Sequence, residues 1–264
     1  MADSYFLRLD ETSTSGRYVA GPATAGPWAP NLQHGGPPNC LAVTAAERAV
    51  QAETGRTDLI GLRVAAEFVG PVPVGEVETR ARVVRAARSA ALAEVILTAQ
   101  GRDCLQVRVW FVRDADTAPL SAPAAAPTAV PDAGPGLDAD FGYGASLEWR
   151  FVRGAMAEPG PAAAWVCPRT ALLDDHDMSG LARVALIADS ASGISAELDW
   201  SVWSFLNVDL DVHLARPVEG EWVLMDAVTH LGGHGSALAR STLSDARGLV
   251  GSGLQTLVVA PMRT

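Results

Sequence analysis

The sequence predicts an α+β protein made of two tandem copies of one unit, an antiparallel sheet wrapped around a central helix. The first supporting observation is a Pro- and Ala-rich segment without hydrophobic periodicity, DADTAPLSAPAAAPTAVPDAGPG, which divides the chain. The second is that each flanking part has the size of a small domain. The third is that both parts show the same order of elements, a repeat too long for a solenoid. We therefore predict domains at 1–113 and 137–264, joined by a linker at 114–136.

The N-terminal half contains one predicted helix, His34–Val50. Glycines precede it, prolines occupy its first turn, and small and apolar residues then follow at helical spacing. Two short strands are predicted before the helix, Tyr5–Leu9 and Tyr18–Ala20. Four strand-like runs follow the helix: Leu59–Val69, Gly75–Ala86, Ala90–Gln100 and Cys104–Val112. Apolar and more polar residues alternate in the first of these runs, the period of a half-buried strand.

The C-terminal half repeats this order around a second predicted helix, Met178–Gly193. Two short strands are predicted before it, Leu147–Val152 and Ala163–Cys167. Four runs follow it: Phe205–Leu214, Glu221–His230, Ser236–Ser244 and Leu249–Val259. Each curled sheet has an open edge that needs covering. We therefore expect the two helices to lie side by side and the two sheets to join edge to edge.

Composition and charge exclude several classes of function. The net charge of −10 disfavours nucleic acid and anionic membranes as partners. Every cation among the 264 residues is arginine, which removes Schiff-base chemistry on lysine. Three cysteines are too few for a disulfide framework or a zinc site, and no signal peptide or run of ~20 apolar residues is visible. We expect a cytoplasmic protein.

Familiar catalytic motifs are absent from the sequence. It contains no G-x-S-x-G, so an α/β-hydrolase triad is not expected. It has no phosphate-binding or dinucleotide-binding glycine motif on a strand–helix unit. Asp209, Asp211 and His213 have a spacing that would suit a metal. We instead expect this row to face solvent or a second copy of the chain, which leaves a homo-oligomer open.

The sequence resembles the acyl-CoA thioesterase II family, whose members have the double hot-dog fold. The resemblance rests on four segments, NLQHGGPPNCLAV, ALIADSASG, NVDLDVHLARPVEGEW and GSGLQTLVV, and covers nearly the whole chain apart from the linker. It implies hydrolysis of an acyl thioester, with acyl-CoA or an acyl carrier protein as the partner. It also implies that no metal or organic cofactor takes part.

The same resemblance implies a set of site residues. In that family an Asp on the second helix, a Thr or Ser on the next strand and a Gln on the last strand hold the hydrolytic water. These positions fall on Asp189, Asn207 and Gln255, and the asparagine departs from the family pattern. The family's glycine pair falls on Gly35 and Gly36, which would face the Asp across the two halves and bind the oxyanion.

Chemistry alone leaves these residues with alternatives. Asp189 lies in an apolar helix, where an unpaired buried carboxylate is costly, but it could also cap the helix end or face solvent. Gln255 could face either side of its strand. Asn207 alternates with apolar residues and should point outward unless the strand twists or bulges there. His34 could act as an acid–base group, but a cap and turn role is the preferred interpretation.

Two rival functions remain beside thioester hydrolysis. A hot-dog dehydratase or hydratase acting on a 3-hydroxyacyl thioester would need a His paired with an Asp or Glu, and His34 is the only histidine expected to reach Asp189. A non-catalytic acyl-binding protein would keep the cavity without turnover. The departure at Asn207 keeps that third function open.

Overall fold

The computed structural model describes residues 4–120, 129–156, 158–174 and 178–262, so residues 121–128 of the predicted linker lie outside the described residues. The N-terminal half comprises β1 (Phe6–Glu11), β2 (Ser15–Ala20), α1 (Gly36–Thr54), β3 (Leu59–Phe68), β4 (Glu76–Ala86), β5 (Ala90–Ala99) and β6 (Arg102–Arg113). Short 3₁₀ turns occur at Pro22–Thr24 and Ala118–Leu120. Each element predicted for this half is present, within a few residues of its predicted bounds.

The C-terminal half has the same order with two interruptions. It comprises α2 (Gly142–Ala145), β7 (Leu147–Arg153), β8 (Ala162–Pro168), α3 (Gly180–Ala188), α4 (Ala191–Ile194), β9 (Trp203–Asn207), β10 (Asp209–Leu214), β11 (Val223–Leu231), β12 (Ser236–Asp245) and β13 (Gly248–Pro261). The second helix was predicted as one piece but is broken after Ala188. The run predicted as a single strand is broken at Val208.

Both halves contribute to one antiparallel sheet. Its strand order is β1-β2-β4-β5-β6-β3-β10-β13-β12-β11-β8-β7, with β9 paired to β13. Read outward from its centre, the order is the same in both halves. The halves join where β3 and β10 pair antiparallel, with Val64 opposite Val212. The predicted edge-to-edge junction is therefore confirmed, and it removes one open edge from each half-sheet.

The two long helices pack against each other beneath this sheet. Small residues allow the close approach, because a Cβ added to Gly36 would lie 2.3 Å from the backbone oxygen of Leu186. The Ser179 hydroxyl caps α3 by accepting from the Ala182 N–H at 3.0 Å. Seven of the nine α3 residues are buried. The end of α3 and the start of α1 consequently meet inside the protein.

The break between β9 and β10 changes which side chains face inward. The Val208 N–H donates to Thr256 O at 3.0 Å. The N–H of Thr256 itself donates to the Asp209 carboxylate at 2.5 Å instead of to a strand carbonyl. Val208 is thereby an extra residue in the alternation of inward- and outward-facing side chains along the strand. Phe205 and Asn207 face inward before the break, so the bulge reverses the outward orientation that an unbroken strand would give Asn207.

The end of the predicted linker contacts the C-terminal half. The Phe151 N–H donates to Pro135 O at 2.9 Å, and Val130 packs on a small cluster that includes Trp165. Within the described ranges, no helix is long and apolar enough to cross a membrane.

Candidate active site

Asp189 forms the centre of a buried polar cluster at the end of α3. The residue is 4% exposed, and both carboxylate oxygens have protein partners. Its Oδ1 accepts from Asn207 Nδ2 at 2.7 Å, and its Oδ2 lies 2.9 Å from His34 Nδ1. These partners compensate a carboxylate that would otherwise be costly to bury. The predictions that Asp189 merely faces solvent or caps a free helix end are therefore not supported by its position.

Gln255 holds the break between α3 and α4. Its Nε2 donates to Asp189 O at 3.1 Å and its Oε1 accepts from the Ser192 N–H at 3.1 Å. In a continuous helix, both backbone groups would have had helical partners, so the amide side chain replaces those hydrogen bonds. A longer contact of 3.5 Å joins Nε2 to Asp189 Oδ1. Gln255 faces inward on β13, 1% exposed, and fixes the backbone that carries the carboxylate.

His34 is positioned from three sides. Its backbone N–H donates to Thr24 O at 2.8 Å, and its ring stacks on Tyr143 with centroids 3.8 Å apart and planes 9° from parallel. The cap and turn role preferred from the sequence is incomplete, because the ring crosses from the N-terminal half to contact Asp189. His34 reaches Asp189 because α1 packs against α3, and this contact is what the cap and turn interpretation did not include.

The Nδ1 atom of His34 has two neighbours that compete for it. It lies 3.1 Å from the Gly36 N–H, which would donate to it, and 2.9 Å from Asp189 Oδ2, which would accept from it. One ring nitrogen cannot donate and accept in the same plane at once. The charged carboxylate is the stronger partner, so we assign the proton to Nδ1. In that tautomer the Gly36 N–H is free to bind another acceptor.

The glycine pair is required by this packing. A Cβ on Gly35 would lie 2.7 Å from Asp189 Oδ2 and 2.5 Å from the ring of Phe68. The start of α1 thus approaches the carboxylate at Gly35 more closely than a residue with a side chain would allow. The structure brings Asp189, Asn207, Gln255, His34 and Gly35 into direct contact, with Gly36 adjoining them.

Tyr143 belongs to this cluster and was missed by sequence reasoning. Its hydroxyl donates to Leu186 O at 2.7 Å and shares a hydrogen bond with Ser190 Oγ at 2.8 Å. Burial raises the pKa of Tyr143 well above its usual value. The residue lies in a four-residue helix just after the linker, where no hydrophobic period marks it as buried. Its position could only be found from the three-dimensional packing.

A largely apolar cavity of about 560 Å³ opens beside the cluster. Asp189, His34, Gly35 and Asn207 line it together with Gln33, Ser190 and Ser192. Most of the remaining wall is made of aliphatic and aromatic side chains, the usual composition of a small-molecule site. The carboxylate therefore lies where a bound apolar group could place a reacting carbonyl.

The acidic row on β10 has other partners. Asp211 pairs with Arg63 at 2.8 Å, and Asp209 accepts hydrogen bonds from the backbone and hydroxyl of Thr256. In the described part of the chain, no group of three His, Cys, Asp or Glu residues is arranged to hold a metal ion.

A curled antiparallel sheet around buried helices is the hot-dog class of fold, and here it carries a carboxylate–imidazole–amide cluster at an apolar cavity. Family comparison then gives the particular assignment. Residues 24–112 match the acyl-CoA thioesterase N-terminal domain, and residues 114–259 match the acyl-CoA thioesterase C-terminal domain. The chain belongs to the acyl-CoA thioesterase family and is a thioester hydrolase.

Solved structures support the fold. A protein of Novosphingobium aromaticivorans described as a candidate thioesterase is 23% identical, with a TM-score of 0.72 over 96% of this chain and 98% of that one. Acyl-CoA thioesterase II of Mycobacterium marinum is 15% identical, with a TM-score of 0.72 over 97% and 95%. A hot-dog protein of Alicyclobacillus acidocaldarius is 15% identical, with a TM-score of 0.71 over 97% and 96%. No curated protein matches the sequence.

Proposed function

We propose that Asp189 activates a water molecule that attacks the thioester carbonyl. The supporting observation is the buried carboxylate beside the cavity, held by Asn207 and His34 through contacts of 2.7 and 2.9 Å. Each carboxylate oxygen has a second lone pair with which to accept from water. In the attack, the water oxygen bonds to the carbonyl carbon while its proton passes to Asp189. Collapse of the tetrahedral intermediate re-forms the carbonyl and breaks the C–S bond, and the leaving thiolate takes the proton that Asp189 accepted from water.

Gly35 and Gly36 are proposed to stabilise the oxyanion of that intermediate. They lie at the N-terminus of α1, where backbone N–H groups and the helix dipole favour negative charge. Protonation of His34 at Nδ1 supports this role because it releases the Gly36 N–H. We assign Asn207 and Gln255 to positioning: Asn207 holds the carboxylate and its water, and Gln255 holds the backbone of Asp189.

The proposal also covers the carrier of the acyl group, the tandem fold, the cellular setting and the oligomeric state. We propose a coenzyme A or acyl carrier protein thioester as substrate, in agreement with the family, and a fold that is a tandem double hot-dog. The identical strand order of the two halves supports the duplication. A cytoplasmic setting is supported by three free, buried cysteines. A homo-oligomer also remains part of the proposal.

Asp189→Asn tests the mechanism. The substitution keeps the shape of the side chain but removes the base, so we expect kcat for acyl-CoA hydrolysis to fall about 10²–10⁴-fold with KM little changed. Thiol release would be followed with a chromogenic thiol reagent, and thermal unfolding would confirm that the variant folds. Wild-type turnover by Asp189→Asn would refute the assignment of the base.

A hydratase or dehydratase is the second candidate, favoured by the 2.9 Å contact between His34 and Asp189. This is the acid–base pair that such a reaction requires. Mass spectrometry of acyl-CoA incubations separates the two functions, because hydrolysis releases free thiol whereas hydration changes the mass by one water and keeps the thioester. His34→Ala should abolish hydration, but it should reduce hydrolysis only moderately if His34 merely orients the carboxylate.

A further inference from the structure

The cavity beside Asp189 is richer in aromatic rings than the chain as a whole. Seven of its 29 lining residues are Phe, Tyr or Trp, whereas these residues make up 6% of the chain. Aromatic side chains pair with another ring in offset or edge-to-face geometry, an interaction that a flexible alkyl chain cannot make. From this concentration of rings we infer that the acyl group is a neutral aromatic ring system. The inference deepens the proposed function and rests on it.

One aromatic wall adjoins Asn207. Phe205 lies two residues earlier on β9 and therefore projects to the same face of the strand. Trp28 and Trp200 stack on each other with centroids 5.1 Å apart, and both meet Phe205 edge-on at 5.1 and 4.8 Å. The trio joins a loop of the N-terminal half to two segments of the C-terminal half. It forms a wall of fixed rings next to the reacting centre.

A second wall lies beside Gly35 and His34. A Cβ added to Gly35 would touch the Phe68 ring, and the same Cβ would lie 2.7 Å from Asp189 Oδ2. Tyr143 stacks on His34 nearby. One wall thus adjoins Asn207, which contacts Oδ1, and the other adjoins His34, which contacts Oδ2. A planar acyl group bound with its carbonyl at Asp189 could contact both walls.

The charge of the lining restricts the acyl group further. Among the lining residues in the described part of the chain, only Asp189 and His34 can carry a charge. A second carboxylate on the substrate would find no arginine partner and would be repelled by Asp189. The cavity therefore suits a neutral acyl group rather than a dicarboxylic one.

Ring recognition has a measurable consequence for specificity. An aromatic group loses little internal rotation on binding, whereas a linear chain must fix many torsions. Offset or edge-to-face ring pairs add a preference beyond apolar burial of about 2- to 13-fold per contact. Contacts with both walls correspond to roughly 5- to 150-fold in kcat/KM.

The experiment compares three thioesters whose acyl groups have the same number of carbon atoms: phenylacetyl-CoA, cyclohexylacetyl-CoA and octanoyl-CoA. The cyclohexyl compound keeps the ring but lacks the π system, and octanoyl is linear. We expect phenylacetyl-CoA to be hydrolysed with the highest kcat/KM. Equal or better hydrolysis of cyclohexylacetyl-CoA or octanoyl-CoA would overturn the inference and leave thioester hydrolysis intact.

Variants assign the preference to the cavity. Trp28→Leu and Trp200→Leu each remove one indole of the stack, so the ratio of phenylacetyl to cyclohexylacetyl hydrolysis should fall by about 2- to 13-fold. Trp110→Leu is the matched control, because Trp110 lies on β6 and does not line the cavity. An unchanged ratio in folded variants of both cavity tryptophans would contradict the proposal.

Binding to Asp189→Asn keeps the inference testable without turnover. Calorimetric titration of this variant with phenylacetyl-CoA and cyclohexylacetyl-CoA should give the tighter Kd for the aromatic compound. Such a preference without hydrolysis by the wild-type protein would support the ligand class and reject the proposed reaction. Equal Kd values would reject the ligand class, whatever the hydrolysis assay shows.

Discussion

Replacing Asn207 by Thr and by Val tests whether this position acts through a hydrogen bond. The Asn207 amide donates directly to Asp189 Oδ1 at 2.7 Å. The polar atom of threonine is one bond nearer the backbone, so the gap to the carboxylate would open by about 1.5 Å. The resulting distance of roughly 4 Å allows a water to bridge the hydroxyl and the carboxylate. Valine has nearly the same shape as threonine but offers no donor.

The two variants should therefore differ in turnover. We expect Asn207→Thr to keep kcat within a few-fold of the wild type. Asn207→Val leaves a buried charged acceptor without this partner, which costs about 1–3 kcal/mol, or roughly 5- to 150-fold. The assay is steady-state thiol release from an acyl-CoA, with thermal unfolding as the folding control. Equal kcat values for the Thr and Val variants would refute the hydrogen-bonding role of this position.

Two further predictions concern stability. Gly36→Ala places a methyl group 2.3 Å from the Leu186 oxygen, so the two helices must separate. We expect this to cost about 1–3 kcal/mol of stability, which corresponds to a Tm lower by roughly 2–12 °C. Gly136→Ala is the neutral control, because its added methyl group would have its nearest contact at 3.7 Å. Burial raises the pKa of Glu47 to about 7 despite the hydrogen bond from Ser179. The folded state therefore retains a proton that the unfolded state loses, so stability should fall as pH rises from about 4.5 to 7. The decline should amount to about 1–2 kcal/mol of unfolding free energy, because the Glu47 side chain is partly exposed, and Glu47→Gln should remove it. Chemical denaturation of both proteins at pH 5 and pH 8 measures this difference. Equal pH dependence in the two proteins would contradict the assignment.

Local patterns were sufficient to predict the elements of this fold. The glycines and prolines before α1 and the alternation in β3 report backbone preferences that act within a few residues. The repeated order of elements also helped, because the order in one half supported the same order in the other. The packing of α1 against α3 could be expected from the open edges of two such units.

The site was predicted less completely because its geometry depends on distant contacts. The inward orientation of Asn207 follows from the bulge at Val208, which Asp209 and Thr256 stabilise from two different strands. The proximity of His34 to Asp189 follows from the fit of two helices far apart in sequence. Tyr143 gave no local signal, since its partners lie more than forty residues away. Periodicity reports burial within an element and does not report such contacts.

The bulge that orients Asn207 is itself part of the repeat. β3 shifts register between Gly61 and Arg63, and the corresponding strand in the second half breaks between Asn207 and Asp209. This match makes Gly61 the counterpart of Asn207. A second pair of shifts, after Leu97 in one half and after Leu243 in the other, agrees with the same alignment. The strand irregularities near the site are therefore present in both halves, whereas α1 is not broken as the second helix is.

The side chains are not repeated. By the same alignment the counterpart of Gln255 is Val109, since each lies opposite an alanine of the neighbouring strand. The place beside Gly61 is occupied by Leu181, whose side chain lies 2.5 Å from the position of an added Cβ. An amide pair in one half thus corresponds to a glycine and a valine in the other. The matched register shifts account for the similar strand geometry of the two halves. Within the described residues, the amide pair occurs in the C-terminal half, and this difference in side chains explains why the polar cluster forms there.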